Sequence, residues 1–336
     1  MNMSEELIQM GHGAGGLLMR RLVADVFARY FDNPALRELD DAAAVELASG
    51  QIAFTTDAYV VKPLFFPGGD MGKLAVCGTV NDLAVMGAAP RYLSASFTLE
   101  EGLPLATLER VVASMAAAAR EAGVEIVCGD TKVVARGEAD GIFITTSGVG
   151  VFEGGRPARA PLEAGDAVVL SGTLGDHGIA VMVAREQFKL ETTIESDCAP
   201  LGGLCAAMRE AAPGLKFMRD PTRGGLAAAL NEVAAVHGVG VEISEEKIPL
   251  DEDVVAVCEI LGLDPLLVAN EGKVVAVAPA AEAEALVAAM RGHPLGARAA
   301  VIGEVVAEPK RVFVRTAVGG TRILEMPLAD QLPRIC

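Results

Sequence analysis

Apolar and polar positions along the chain keep switching between the two-residue period of a strand and the 3.6-residue period of a helix. Gln51 to Thr55 is a short β-type run. Leu74 to Met86 has the length and spacing of a buried helix, entered through the turn Pro67-Gly68-Gly69-Asp70-Met71-Gly72. Tyr92 to Leu99 predicts a strand, Leu105 to Ala122 an alanine-rich helix, Glu125 to Cys128 a strand end, and Gly141 to Val151 a long β run. That order describes a βαβ-rich first domain. Glu153 to Pro161 is dense in Gly and Pro and has no period, which places a linker there. A second α/β unit follows. Ala167 to Leu170 is apolar, and Ser171-Gly172-Thr173-Leu174-Gly175-Asp176-His177-Gly178 turns into a helix running to Arg185. Further helices are expected over 198–211, 225–237, 251–261 and 281–291, with strands over 240–244, 273–278 and 300–306. An amphipathic helix is expected over 17–31. Pro309, Pro327 and Pro333 argue for an extended, mobile tail with few large apolar groups.

The length of 336 residues suits about two domains. With 51% hydrophobic residues, 4% aromatics and no Trp, small aliphatic side chains must do most of the packing. The net charge of −17 repels polyphosphate backbones, so nucleic-acid binding is not expected, and a bound nucleotide would need metal ions between it and the acids. No window reaches the ~18 uninterrupted apolar residues of a membrane span. The start Met1-Asn2-Met3-Ser4-Glu5-Glu6 has acid where an export signal needs base, which makes a soluble, cytoplasmic protein the expectation. Six cysteines form no CxxC pair and no zinc spacing. Cys77, Cys128, Cys205 and Cys258 sit among apolar neighbours as core residues, Cys198 lies at a turn or helix start, and Cys336 is the last residue given.

Several constellations have chemical potential. Gly11-His12-Gly13-Ala14-Gly15-Gly16 precedes a helix, where glycines admit close backbone approach and free N–H groups attract anions; a plain turn is the alternative. Four acidic sites end apolar elements: Asp40-Asp41, Thr56-Asp57, Asn81-Asp82 and Gly129-Asp130-Thr131. Carboxylates so placed suit Mg²⁺ on phosphate, or act as ordinary caps. Asp82 stands apart, because an otherwise apolar helix interior needs no cap. Asp220-Pro221-Thr222-Arg223-Gly224-Gly225 opens another helix with groups for phosphate and metal, and Glu271 in Asn270-Glu271-Gly272-Lys273 is a general base or merely a partner of Lys273. The end, Pro333-Arg334-Ile335-Cys336, presents a thiol on a stiffened segment.

Taken in order from residue 8 to 336, these strings, together with Phe65-Phe66-Pro67-Gly68-Gly69, Cys77-Gly78-Thr79-Val80-Asn81-Asp82 and Gly129-Asp130-Thr131-Lys132-Val133-Val134, resemble the HypE family of hydrogenase maturation factors. That family belongs to the superfamily of aminoimidazole ribonucleotide synthetase, selenophosphate synthetase and thiamine-monophosphate kinase. The resemblance implies two α/β domains, a homodimer pairing the sheets of the N-terminal domains, ATP at the domain interface, and an extended C-terminal tail. It implies a glycine-rich loop and helix over 1–40, an ATP-binding dimerisation domain over 41–153, an α/β domain over 162–308, and a final segment over 309–336. It further implies ATP-dependent dehydration of an S-carbamoyl group on Cys336 to a thiocyanate. HypF would supply the carbamoyl group, and a HypC–HypD complex would take the cyano group as the CN ligand of the [NiFe] hydrogenase iron.

By match to the superfamily's motifs, Asp41, Asp57, Asp82, Asp130 and Asp220 would hold Mg²⁺, with Asp40 or Asp41 left open. Gly11, His12, Gly13, Gly15, Gly16, Asp57, Asn81, Asp82, Asp130, Thr131, Thr222, Arg223 and Gly224 would contact the cofactor. Lys132 would touch phosphate, Glu271 would be the base and Cys336 the carrier. The carboxamide oxygen would take the γ-phosphoryl group, and phosphate would leave as the N–H protons are removed. A selenophosphate synthetase would instead need a reactive Cys near the start, and the first 76 residues contain none. A docking scaffold would not need the acids.

Overall fold

The computed structural model describes residues 7–9, 12, 21–33, 51–153, 155, 157, 160–185, 192–327, 332 and 334–336. Gly11, Gly13, Gly15, Gly16, Asp40 and Asp41 lie outside the described residues. A π-helical stretch, Val23–Phe27, runs into α1 (Ala28–Phe31).

The first domain contains β1 (Ile52–Tyr59), the ribbon β2 (Phe65–Phe66) and β3 (Gly69–Asp70), α2 (Met71–Val85), β4 (Ala89–Glu100), α3 (Leu105–Ala122), β5 (Glu125–Val134) and β6 (Ile142–Val151). Its sheet runs β1-β6-β4-β5, with only β4 and β5 parallel. α2 begins earlier than the expected 74–86 because Asp70 caps it, accepting from the N–H groups of Gly72 (2.7 Å) and Lys73 (3.1 Å). α2 and α3 cover one face of the sheet. The other face carries Phe54, 69% exposed, and register-matched polar positions such as Ser96 and Asp130.

Two strands outrun their expected ends. β1 continues to Tyr59, which places Asp57 within the strand. β5 continues to Val134, so Gly129-Asp130-Thr131-Lys132 is strand and not loop. The parallel ladder Ala95↔Gly129 to Glu100↔Val134 sustains it, and a Cβ on Gly129 would stand 2.2 Å from the Ala95 carbonyl oxygen, so only glycine fits there.

The second domain contains β7 (Ala167–Leu170), α4 (Asp176–Val183), α5 (Gly202–Ala211), β8 (Phe217–Arg219), α6 (Gly225–His237), β9 (Gly240–Ser244), α7 (Glu252–Leu261), β10 (Val275–Ala278), α8 (Ala283–Arg291), β11 (Ala300–Val306), β12 (Val312–Arg315) and β13 (Thr321–Ile323). Seven strands form a mixed sheet ordered β13-β12-β9-β11-β7-β10-β8. One core packs α6 against it and another packs α5 and α8. The first domain's core continues into the second through Ile179 and Val254 and reaches Ile335.

The final segment departs from the expectation. β12 and β13 pair as an antiparallel ladder within 309–336. Leu332 and Ile335 are 8% and 3% exposed, so the segment has apolar groups to bury and sites that receive them. Cys128 is half-buried on β5 and not in a core. No helix among the described residues is long and apolar enough to cross a membrane.

Candidate active site

The acidic candidates meet where the domains meet. Side chains two apart on a strand share a face, so Thr55, Asp57 and Tyr59 of β1 share one. Thr55 donates to Asp82 Oδ2 on α2 at 2.7 Å, and Tyr59 donates to Asp57 Oδ2 at 3.2 Å while its hydroxyl meets Thr79 at 3.3 Å. From the second domain come buried Asp220, after β8, and Glu271, before β10. Asp82, Asp220 and Thr222 line an interdomain cleft of about 900 Å³, together with Phe54 and Met218.

These carboxyls crowd one another. Burial, then Asp82, raises the Asp57 carboxyl above the ordinary range, partly offset by Tyr59 and Arg223. Burial and the charges of Asp82 and Asp57 push Asp220 up to about 7. Glu271, 2% exposed, is raised well above a normal carboxyl, by burial first and then by Asp220, Asp197 and Asp57. Its carboxyl therefore holds its proton in this state.

Two asparagines fix the frame. Asn81 donates to the carbonyls of Ala199 and Glu271 (both 3.1 Å) and accepts from the Leu201 N–H (2.8 Å), joining α2 to the second domain. Both of its amide hydrogens are taken by backbone carbonyls, so Asn81 clamps the two domains together. Asn270 donates to the carbonyls of Pro221 and Val268 and accepts from the Gly175 N–H, holding the loop of Thr222, Arg223 and Gly224. Gly224 and Gly225 have φ of +76° and +61°, and a Cβ on Gly225 would stand 2.6 Å from the Leu266 carbonyl oxygen, which explains the Gly-Gly pair.

Asp130, Thr131 and Lys132 do not join this group within the chain. β5 and β1 are opposite edges of a four-stranded sheet, about 14 Å apart at ~4.8 Å per strand. Register places Asp130 on the face opposite Asp57, where it accepts from the Thr131 N–H at 2.8 Å and pairs with Lys132 at 3.5 Å. Thr131 is buried on the helix-covered face, away from any ligand on the open one. His12 closes a local turn, its Nδ1 accepting from the Gln9 N–H at 3.0 Å. Among the described residues no three His, Cys, Asp or Glu side chains converge on a metal-sized site.

Cys336 lies beside the far end of β1. The Val60 N–H donates to the Cys336 carbonyl oxygen (3.4 Å) and the Lys62 N–H to that of Arg334 (3.2 Å). Val60 is three residues beyond Asp57, about 10 Å along an extended chain. Arg334 ion-pairs with Asp140 and donates to the Val60 carbonyl at 3.2 Å.

Sequence reasoning assigned no role to Asp197 or His177. Asp197 accepts from the Glu271 N–H at 3.0 Å, and Lys273 stands between Asp197 (3.4 Å) and Asp176 (3.3 Å). His177 is fully buried, and burial pushes its imidazole below the ordinary value, so it is neutral. A lone His in a glycine-rich turn was the available signal.

Two family profiles match the chain: AIR synthase related protein, N-terminal domain, over residues 39–152, and its C-terminal domain over 163–315. Carbamoyl dehydratase HypE of Cupriavidus necator is 53% identical over 339 residues, covering 100% of this chain and 97% of the relative. Carbamoyl dehydratase HypE of Escherichia coli is 50% identical, covering 98% of this chain and 99% of the relative. A crystal structure of hydrogenase maturation protein HypE in complex with ATP superposes with a TM-score of 0.92 at 46% identity, over 97% of this chain and 99% of that one. One of a HypE–HypF complex gives 0.79 at 50% identity, over 91% and 99%. Clamped domains, gathered carboxyls and a docked Arg-Ile-Cys end thus accompany full-length similarity, and the chain belongs to the HypE family of carbamoyl dehydratases.

Proposed function

We propose that this chain dehydrates an S-carbamoyl group on Cys336 to a thiocyanate with ATP, as the supply of the CN ligand in [NiFe] hydrogenase maturation. The observation that carries the reading is the position of Cys336, docked between the domains at one end of β1 while the same strand presents Asp57 to Asp82 and Asp220. The carboxamide oxygen takes the γ-phosphoryl group and ADP leaves. Loss of both N–H protons and of phosphate then gives S–C≡N, so carbamoyl and ATP enter and nitrile, ADP, phosphate and a proton leave.

The cleft of about 900 Å³ is within the ~300–1,000 Å³ of ligand pockets, and its acidic end suits the phosphates. Asp82 raises both Asp57 and Asp220, and facing carboxylates are oxygen donors suited to a divalent cation; the three do not close a metal-sized site by themselves, so Asp57, Asp82 and Asp220 would hold Mg²⁺ with nucleotide oxygens between them. Bound there, the ion supplies charge neutralisation for the transferring phosphoryl group. Glu271, buried beside these carboxyls, would take an N–H proton. Neutralising its acidic neighbours removes the next causes after burial that keep it protonated.

The chain acts as a homodimer in this reading. The open face of the first sheet, with Phe54, calls for cover, and pairing two such sheets would bring one protomer's β5, carrying Asp130 and Lys132, toward the other's β1. A HypF-type carbamoyltransferase loads Cys336 and a HypC–HypD-type complex accepts the cyano group, in the cytoplasm. Intact mass is the test. Incubation with HypF, carbamoyl phosphate and ATP should add about 43 Da, then remove about 18 Da as dehydration proceeds, and Cys336→Ala should show neither change. Addition of the same mass to Cys336→Ala would refute the carrier.

A further inference from the structure

The final residues dock through their backbone, and their carbonyls do not all face the same domain. Those of Arg334 and Cys336 accept from the N–H groups of Lys62 and Val60 in the first domain. The intervening Ile335 carbonyl points the other way, toward the second domain, where His177 Nε2 meets it at 3.0 Å. A carbonyl can only accept, so Nε2 carries the ring proton and Nδ1 must accept. Its partner is the Ser196 hydroxyl at 2.8 Å, whose oxygen in turn accepts the Cys198 N–H at 3.1 Å. The edge of the imidazole is packed against Phe66, with ring centroids 5.4 Å apart at 85°. Buried Ser196 and Phe66 therefore hold the ring's orientation, and the Ile335 carbonyl selects the tautomer with the proton on Nε2.

We propose that His177 is a positioning residue for the carbamoyl dehydration: its Nε2–H, oriented by Ser196, anchors the Ile335 carbonyl and so holds the adjacent Cys336 between the domains. The inference rests on the reading of Cys336 as carrier. To the first domain, the Arg334 and Cys336 carbonyls accept from backbone N–H groups that any extended segment would satisfy, and only the Arg334 side chain adds specific contacts, to Asp140 and the Val60 carbonyl. His177 adds a donor from the second domain and ties the docked segment to both walls of the site. Arg185 Nη2 supports it one residue away, donating to the Arg334 carbonyl at 3.0 Å.

The test uses full-length protein carbamoylated on Cys336, followed by intact mass in a single turnover after adding Mg·ATP. Iodoacetamide alkylation of the uncarbamoylated thiol is run in parallel. His177→Ala should slow loss of the 18 Da by at least about tenfold, speed alkylation of Cys336 and leave the ATP Kd unchanged. His177→Gln, whose amide nitrogen reaches the same place as Nε2, should recover most of the rate, whereas His177→Asn should not. Ser196→Ala should give an intermediate rate, and it serves in place of His177→Ala should that variant fail to fold. Dehydration by His177→Ala at the parental rate, or a loss that Gln and Asn restore equally or not at all, would overturn the proposal. Failure of the parent chain itself to dehydrate would instead refute the assigned activity.

Discussion

Glu271→Gln should stabilise the protein at neutral pH while ending the dehydration, and the burial of Glu271 sets the direction of the first effect. The Glu271 carboxyl is buried and held well above its ordinary 4.5, by desolvation first and then by Asp220, Asp197 and Asp57. A folded-state value raised above the unfolded one gives stability that is full below the unfolded value and lost as pH rises toward the folded one. Where the unfolded chain has ionised Glu271 and the folded chain has not, each pH unit costs the parent up to about 1.4 kcal/mol. Glutamine fills the same volume without that proton uptake. In urea titrations with EDTA, the parent and Glu271→Gln midpoints should lie close at pH 5, and the variant should gain on the parent as pH rises to 7, by at most about 1.4 kcal/mol per pH unit. A stability difference that stays constant over this range would refute the protonated Glu271, and a Gln variant that dehydrates Cys336 at the parental rate would refute its role as base.

The remaining expectations concern the frame, the cation site and the dimer. Asn81→Ala removes three interdomain hydrogen bonds at ~0.5–1.5 kcal/mol each, so a loss of about 2–4 kcal/mol should appear as a lower urea midpoint; an unchanged midpoint would contradict the clamp. Asp82→Asn and Asp220→Asn should each weaken Mg·ATP binding by about tenfold or more in calorimetry, since a neutral amide balances less charge, and parental affinity in both would remove them as ligands. Asp57→Asn and Asp130→Asn should each be inactive alone, yet refolded together should recover up to about a quarter of the parental activity, because a mixed dimer has one site with neither substitution; no recovery would argue against a shared site.

Sequence legibility followed the strength of periodicity and the locality of the contacts. α3, α6, β7, β9 and β11 begin and end where the pattern predicts them, since each is a run with clear breakers. β8 and β13, at three residues each, are too short to show a period, and the partner of β8 lies far along the chain. β5 was cut short because Gly129-Asp130 reads as a turn. Only its parallel partner β4, carrying no local signal, makes it a strand. Asp57, Asp82, Asp220 and Glu271 were visible because acid in an apolar context is conspicuous. Asn81 was equally visible, but its clamping of the domains was not, because its three partners lie about 120 to 190 residues away. The face and edge that separate Asp130 from Asp57 are set by strand order and register, which residue spacing does not encode.

Docking of the Cys336 segment is a near-balanced equilibrium by its own contacts, which matches what a carrier needs. Five hydrogen bonds tie residues 334–336 to Val60, Lys62, His177 and Arg185, worth about 3–7 kcal/mol together, and burial of Ile335 adds about 2 kcal/mol. Ordering three residues costs about 1–2 kcal/mol each for backbone and up to about 1 kcal/mol more for each side chain, a total of about 3–9 kcal/mol. The difference lies within a few kcal/mol of zero, so both docked and released forms are accessible. A substantially tighter segment would withhold the thiol from the enzyme that loads it, and a looser one would leave a loaded carboxamide in water, away from the phosphoryl donor. Contacts from two domains, most of them to backbone, let that balance be set without a single strong bond. The exposed ion pair of Arg334 with Asp140 adds little to it, and the buried His177 is the contact whose removal shifts it most.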